Sequence, residues 1–464
     1  MKLRKYSLCL LSAALLFGSC KKELNQNDPQ SFSDENAFTT IDHVQYGVNA
    51  AFGRYSTYAT DVYKNALTSD EAKIGADNAG SGALTYRYQY GSDNTTGNDV
   101  IAGYYGYYSL IDQVNRVLPN VDKVTGGTEG RKSELKGQLL GLRGIAHFGL
   151  LQAFCKNYNP SDPLGVAIMT EFNAAAKPSR NTMGEVMAQI QADLDSAKNL
   201  LPLVTSTNFS DTVFNRLNVA AYQARIALYR GDFDAAVSYS SEVINSGIKP
   251  LVSGGEYAGI WIDNNTNESL FRIRFLQSVG IGGLWTGSGN SITIAPSDKL
   301  FNSYTAGDVR LASFIGTNAA GNHYVNKHYA SSRGARIVDL KACRTAEMYL
   351  IRAEAYARKS SPDLAAGAAD LNFLRSKRIT GYVDETFTNT TQLFNAVLFE
   401  RFKELCFEGF RFYDLKRNNL PVERSSTDAS SQWQTLPANS HLFVYPIPRD
   451  AILANPNTIQ NSGY

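Results

Sequence analysis

The sequence predicts a mostly α-helical protein of tetratricopeptide-like helix pairs, about four of them, with irregular loops and short strands inserted to form the ligand-binding face. Three observations lead there. Residues 217–246 read as two amphipathic helices with small residues at their crossing. Residues 343–378 repeat that plan. Between them, residues 250–340 lose the helical period and turn glycine-rich. Insertions on one face of a repeat scaffold are where binding tends to be placed.

In the first unit Leu217, Ala221, Ala224 and Leu228 line one helix, Gly231-Asp232 breaks it, and Ala235, Ala236, Tyr239 and Val243 line the next. In the second unit Ala346, Leu350, Ala353 and Tyr356 are followed by a turn at Ser360-Ser361-Pro362. Leu364, Ala368, Leu371 and Leu374 then line the second helix. Small residues let helix backbones approach, and one such unit cannot bury its faces alone, so several must stack. Further helices are predicted over 43–58, 104–118, 134–154, 183–201 and 392–408. The 134–154 segment places Leu135, Leu139, Leu142, Ala146, Leu150 and Phe154 at spacings of three and four. The 183–201 segment opens on a capping box, Thr182 with Glu185 three residues on, and stops before Pro202. Residues 157–183, with Pro160, Pro163 and Pro178, read as irregular. Leu270 to Phe275 alternates like a strand, and Trp261 ahead of it is expected in the core. Arg230-Gly231-Asp232 spells an adhesion tripeptide, yet a helix-capping glycine accounts for it.

The first residues carry an address. Lys2, Arg4 and Lys5 precede an apolar run of about 12 residues, too short for the roughly 20 of a membrane span and suited to a signal-peptide core. Gly18 and Ser19 then precede Cys20, which resembles a lipobox; Phe17 departs from the usual Leu. Cys20 is therefore the expected lipidation site, and its acyl chains would anchor the protein to a membrane. The organisation follows: 1–19 signal peptide, 20–35 lipidated tether, 36–250 N-terminal helical region and 251–464 C-terminal region.

Three of the 45 bases leave with the leader, so the mature chain carries 42 against 43 acids and is close to neutral. No concentrated basic face marks a nucleic-acid partner. Beyond Cys9 and Cys20, Cys155, Cys343 and Cys406 each fall inside an apolar helical pattern, an arrangement of buried free thiols and not of a disulfide framework. His43, His147, His323, His328 and His441 make no His-Glu-x-x-His pattern, and no nucleophile elbow or Walker loop is present. The glycines at 280–289 miss the dinucleotide fingerprint. The expectation is a binding protein without catalysis, metal or cofactor.

A set of motifs then gives a resemblance. Glu400-Arg401, Glu404-Leu405, Phe407-Glu408-Gly409, Arg411 and Asp414-Leu415-Lys416-Arg417 resemble the C-terminal signature of the SusD/RagB family of outer-membrane nutrient-binding lipoproteins. Ser69-Asp70-Glu71 with Tyr108, Ile111 and Asn115 is similar to its N-terminal part. Ile190, Asp193-Leu194, Ala197 and Leu200-Leu201 are similar to its next segment. Asp308-Val309-Arg310, Ala346-Glu347, Ala353-Glu354-Ala355, Asn372, Tyr445-Pro446-Ile447-Pro448, Asn455-Pro456 and Gln460-Asn461 follow in family order. The resemblance implies a lipid-anchored protein on the outer membrane, facing the exterior. It would capture glycans or oligosaccharides and cap a SusC-like TonB-dependent transporter like a hinged lid. Peptides, as for RagB-like relatives, are the alternative cargo, and a helical scaffold without small ligand is another.

Within the signature, Glu400, Glu404 and Glu408 fall four apart and would share a helix face, where they repel unless bases interleave. Arg401, Lys403, Arg411 and Arg417 are the candidate partners, Asp414 belongs to the same set, and a structural ion network is preferred to acid–base chemistry. For the ligand, sugars need exposed rings beside amides or carboxylates. Tyr86, Tyr88 and Tyr90 would share one face if extended, with Asn78 and Asn94 nearby; a packed hairpin side gives the same stripe. Trp285 lies between glycines with few local neighbours to bury it, and Asn290 follows in the same loop. If Trp285 stacks on ligand, its replacement by Ala should weaken binding by roughly 1–3 kcal/mol.

Overall fold

The computed structural model describes residues 37–93 and 99–464. The leader, the whole tether with Cys20, and Asn94 lie outside the described residues. Helices dominate, as the periodicities predict. They are α1 (Ile41–Arg54), α2 (Thr57–Thr68), α3 (Ala83–Tyr86), α4 (Ala102–Val117), α5 (Glu129–Phe154), α6 (Met183–Leu200), α7 (Arg216–Arg230) and α8 (Phe233–Asn245). After them come α9 (Gly254–Trp261), α10 (Asp298–Phe301), α11 (Val309–Phe314), α12 (Thr345–Arg358), α13 (Leu364–Ser376), α14 (Thr390–Glu404), α15 (Arg411–Arg417) and α16 (Arg449–Ala454).

The repeat-like helices stack in chain order: α1 on α4, α4 on α5, α5 on α6, α6 on α7, α7 on α8, α8 on α12 and α12 on α13 and α14. Two local reasons fix this packing. First, helix ends are stopped cleanly: Thr182 and Glu185 form the expected reciprocal capping box, and Gly231 closes α7 in the left-handed conformation at φ 78°. Second, glycines open the helix surfaces; a methyl group on Gly149 of α5 would sit 2.4 Å from the ring of Tyr107 on α4. The main core runs from Val44 to Tyr445, and a satellite core lies among α12, α13 and α14. Cys155, Cys343 and Cys406 are free and buried, and burial pushes the Cys155 thiol up to about 11. Among the described residues no helix is long and apolar enough to cross a membrane.

Three boundaries differ from the sequence expectation. The 43–58 helix is two: α1 ends at Arg54 and α2 starts at Thr57 after a turn at Tyr55 and Ser56. The 392–408 helix ends at Glu404, and Phe407 turns into the left-handed region at φ 60°. Residues 86–90 are not extended, because α3 ends at Tyr86 and Tyr88 sits at φ 56°.

The insertions are short antiparallel pairs. They are β1 (Ala72–Ile74) with β3 (Ile294–Pro296), and β2 (Ser269–Ile273) with β6 (Leu340–Arg344). To these are added β4 (Ile315–Thr317) with β5 (His323–Val325), and β7 (Val422–Glu423) with β8 (Thr435–Leu436). The first pair ties Ala72 to Pro296, joining segments far apart in sequence, and β3 packs on β5.

Candidate ligand-binding face

The two stretches that the sequence singles out, 77–95 and 277–292, are joined at their described residues by backbone and amide groups. Gly75 N–H donates to Thr293 O at 2.9 Å and Asp77 N–H to Ile292 O at 3.0 Å. Asn78 Nδ2 donates to Thr293 O at 2.7 Å and to Ser81 O at 2.8 Å, while its Oδ1 accepts from Gly80 N–H. Asn78 is thus committed to joining the loops. Beneath them, Lys73 pairs with Asp298 at 2.5 Å, and Asp428 accepts from Asp298 N–H at 2.7 Å.

The predicted rings do not line this face. Tyr86, Tyr88 and Tyr90 are buried, and their hydroxyls donate inward to Asp428 O, Thr68 O and Leu442 O. The Arg424 guanidinium lies over Tyr86, 3.9 Å from its centroid. The alternation is real but its phase is reversed: Arg87 and Gln89 are the exposed members of that stretch. Trp285 has no exposed surface. Its neighbours come from far along the chain: His328 stacks at 5.5 Å, and Phe407 and Tyr63 meet it edge-on at 5.3 and 5.6 Å. A ring so enclosed offers no face to a sugar, and the expectation of few neighbours is corrected. Trp261 is buried in the core. Asn290 is exposed at φ 61° in its turn.

Other side chains occupy the surface that these loops share. Tyr324 on β5 and Tyr329 just beyond it are half-buried, their rings 4.9 Å apart at 66°. Tyr324 lies across Gly316, where a side chain would collide with its ring at 2.2 Å. Tyr329 adjoins the glycine-rich loop: Arg336 N–H donates to Tyr329 O, and Arg336 Nη1 to Thr286 O at 3.3 Å. Leu276 and Val279, 74% and 79% exposed, start that loop. The sequence carried a hint of this hairpin, since Asn318 and Gly321 mark a turn between two short β-prone runs. It carried no sign that the tyrosines would face outward.

The C-terminal signature is a buried ion network, but its partners differ from those expected. Glu400 accepts from Arg310 at 2.5 Å and Arg375 at 2.7 Å. Glu404 accepts from Arg344 at 2.9 Å, Arg378 at 3.0 Å and Arg310 at 3.2 Å. Glu408, beyond the end of α14, accepts from Lys327 at 2.5 Å and Arg344 at 2.7 Å. The expected bases pair elsewhere: Arg401 and Arg417 with Asp414, Lys403 with Asp308, and Arg411 with Asp70. Burial opposes ionisation of Glu400, yet Arg310, Lys403 and Arg375 outweigh it and hold the carboxyl at about 2. Carboxylates so fixed bind segments together and are enclosed away from any substrate.

Glu71 behaves oppositely. Among the described residues only Phe407 N–H donates to its carboxyl, at 3.1 Å, and burial pushes that carboxyl up to about 8. The fold therefore favours the protonated form. Its contribution to stability is full below the unfolded value of 4.5 and is lost as pH rises through about 8. We expect the stability difference between the wild type and Glu71→Gln to change with pH across that window, by up to about 1.4 kcal/mol per pH unit. Urea unfolding at pH 5, 6.5 and 8 checks it; parallel curves for the two proteins would refute the assignment.

Comparison with known proteins completes the picture. A family model described as starch-binding and associating with the outer membrane, SusD-like, matches residues 23–228, and the SusD family model matches residues 301–464. SusD-like protein P2 of Formosa agariphila is 26% identical over the full length of both chains. SusD-like protein P38 of the same organism is 21% identical over 90% of this chain and 91% of its own. A solved putative sugar binding protein from Bacteroides vulgatus superposes with a TM-score of 0.80 at 27% identity, covering 92% of this chain and 99% of its own. A SusD superfamily protein from Bacteroides thetaiotaomicron gives 0.79 at 23% identity, over 91% and 100%.

Proposed function

The chain belongs to the SusD/RagB family, and from that premise we propose that it is a cell-surface lipoprotein that captures glycans and passes them to a SusC-like TonB-dependent transporter. The observation that carries this reading is the pair of family matches, at 23–228 and 301–464, which flank the glycine-rich loop. Anchoring through Cys20 fits the apolar leader and the small residues before that cysteine. Confined to the membrane plane, the protein meets its transporter at high local concentration. Modest affinity suffices, because the ligand must be released inward.

The loop face provides the means. Half-buried Tyr324 and Tyr329 present ring surface for sugar C–H groups, and exposed Asn290, Arg87 and Gln89 present donors and acceptors for hydroxyls. Calorimetry against a panel of soluble polysaccharides and peptide digests tests the function. We expect heat from at least one glycan, and a loss of roughly 1–3 kcal/mol of binding on replacing Tyr324 and Tyr329 together by Ala. Binding to peptides with no heat from any glycan would reject the glycan reading. Unchanged glycan affinity in the double variant would move the site off this face.

A further inference from the structure

A second cleft, of about 650 Å³, shares no lining residue with the loop face. Its size falls within the roughly 300–1,000 Å³ of small-ligand pockets. It opens between the end of α5, the α15 helix and the C-terminal turns, and its wall is polar. Exposed Asn419, Asn439, His441 and Ser462 contribute amide, imidazole and hydroxyl groups, with buried Phe443 behind them.

Its charge is unbalanced. Lys416 Nζ donates to Gln152 O at 2.8 Å and Cys155 O at 2.5 Å, the last carbonyls of α5 and its cap. Among the described residues no carboxylate pairs with it, and burial pushes its ammonium down only to about 8, leaving it charged at neutral pH. Exposed Lys156 stands on the same wall. Arg417 is already satisfied by Asp414 and Glu354. The one acid of the cleft, Asp162, accepts from Asn157 Nδ2 and Leu164 N–H, both at 2.9 Å, within its own loop. A desolvated cation beside free amides, with no counter-charge of its own, is an incomplete site that an anion completes.

We propose that this cleft is a second saccharide site selective for a sugar that bears a carboxylate, such as a short oligouronide. Lys416 and Lys156 take the carboxylate, and Asn419 and Asn439 take ring hydroxyls. The saccharide class rests on the glycan reading above; the preference for an anion does not.

The probes are a trimer of galacturonic acid, its methyl ester and trialanine with a free carboxylate, titrated calorimetrically into the full chain. The acid should bind at least about tenfold tighter than its ester. Lys416→Met tests the cation directly, but Lys416 also caps α5, so the rim pair Asn419→Asp with Asn439→Asp keeps the test independent of folding. Those exposed substitutions should weaken the acid roughly fivefold more than the ester, because the added like charge repels only the acid's carboxylate. The Tyr324 and Tyr329 double Ala variant should bind the acid as the wild type does. Equal affinity for acid and ester, no binding of the acid, or indifference to the rim pair would overturn the proposal. Tighter binding of trialanine than of the trimer would overturn its saccharide part. A failed loop-face reading shows separately, as neutral-glycan binding insensitive to the tyrosine pair.

Discussion

Glu404→Gln is expected to cost about 3–5 kcal/mol of folding stability. Glu404 is fully buried and faces three guanidinium groups, those of Arg310, Arg344 and Arg378, while Tyr257 Oη adds a hydrogen bond at 3.2 Å. Burial opposes its ionisation, but Arg378, Arg344 and Arg310 outweigh that and hold the carboxyl well below the usual carboxylate range. Glutamine keeps the shape and removes the charge, so three cations remain buried with too few counter-ions. The surface pair of Lys198 with Glu242, 2.5 Å apart and partly exposed, is the comparison. Glu242→Gln should change stability by less than about 1 kcal/mol, since solvent screens such a pair. Urea denaturation of both variants measures the contrast, and a Glu404→Gln loss under about 1 kcal/mol would show that the network is not what ties these segments together.

Trp285→Ala is expected to destabilise the fold by about 3–5 kcal/mol through the cavity it leaves. The indole fills the space between Tyr63, His328 and Phe407, and so joins α2, the segment after β5 and the turn after α14. Trp285→Phe should lose less, because much of the volume is kept. Glycan affinity, measured at a temperature where both variants are folded, should stay within about twofold of wild type. A variant of near-wild-type stability with weakened affinity would return Trp285 to the ligand.

Much of the fold was legible because helix formation is recorded locally. The spacing of Leu217, Ala221, Ala224 and Leu228, the Thr182–Glu185 box and Gly231 each fix a helix or its end with neighbours in sequence. The C-terminal signature was legible as a set of charges. Its wiring was not, because Arg310, Lys327, Arg344, Arg375 and Arg378 reach it from segments that only folding brings near.

The ligand-facing residues show the division most clearly. The sequence by itself determined the helical repeat architecture, the family signature, and the two stretches at 77–95 and 277–292 as candidates for ligand; that loops of both meet is tertiary. It also determined that Tyr86, Tyr88 and Tyr90 stand apart from Arg87 and Gln89. Which side of that stripe faces water was decided by tertiary structure alone. The alternating burial comes from a helix end and a left-handed turn at Tyr88, a local path that the residue pattern does not record and that leaves open which side the rest of the chain will cover. For Trp285, flanked by glycines, the covering groups lie between 43 and 222 positions away, so burial could not be read locally. The half-buried Tyr324 and Tyr329 emerge for the converse reason: the buried side chains of α2 and α14 belong to the interior, and the chain around β5 lies at its edge, which no local pattern in the sequence records.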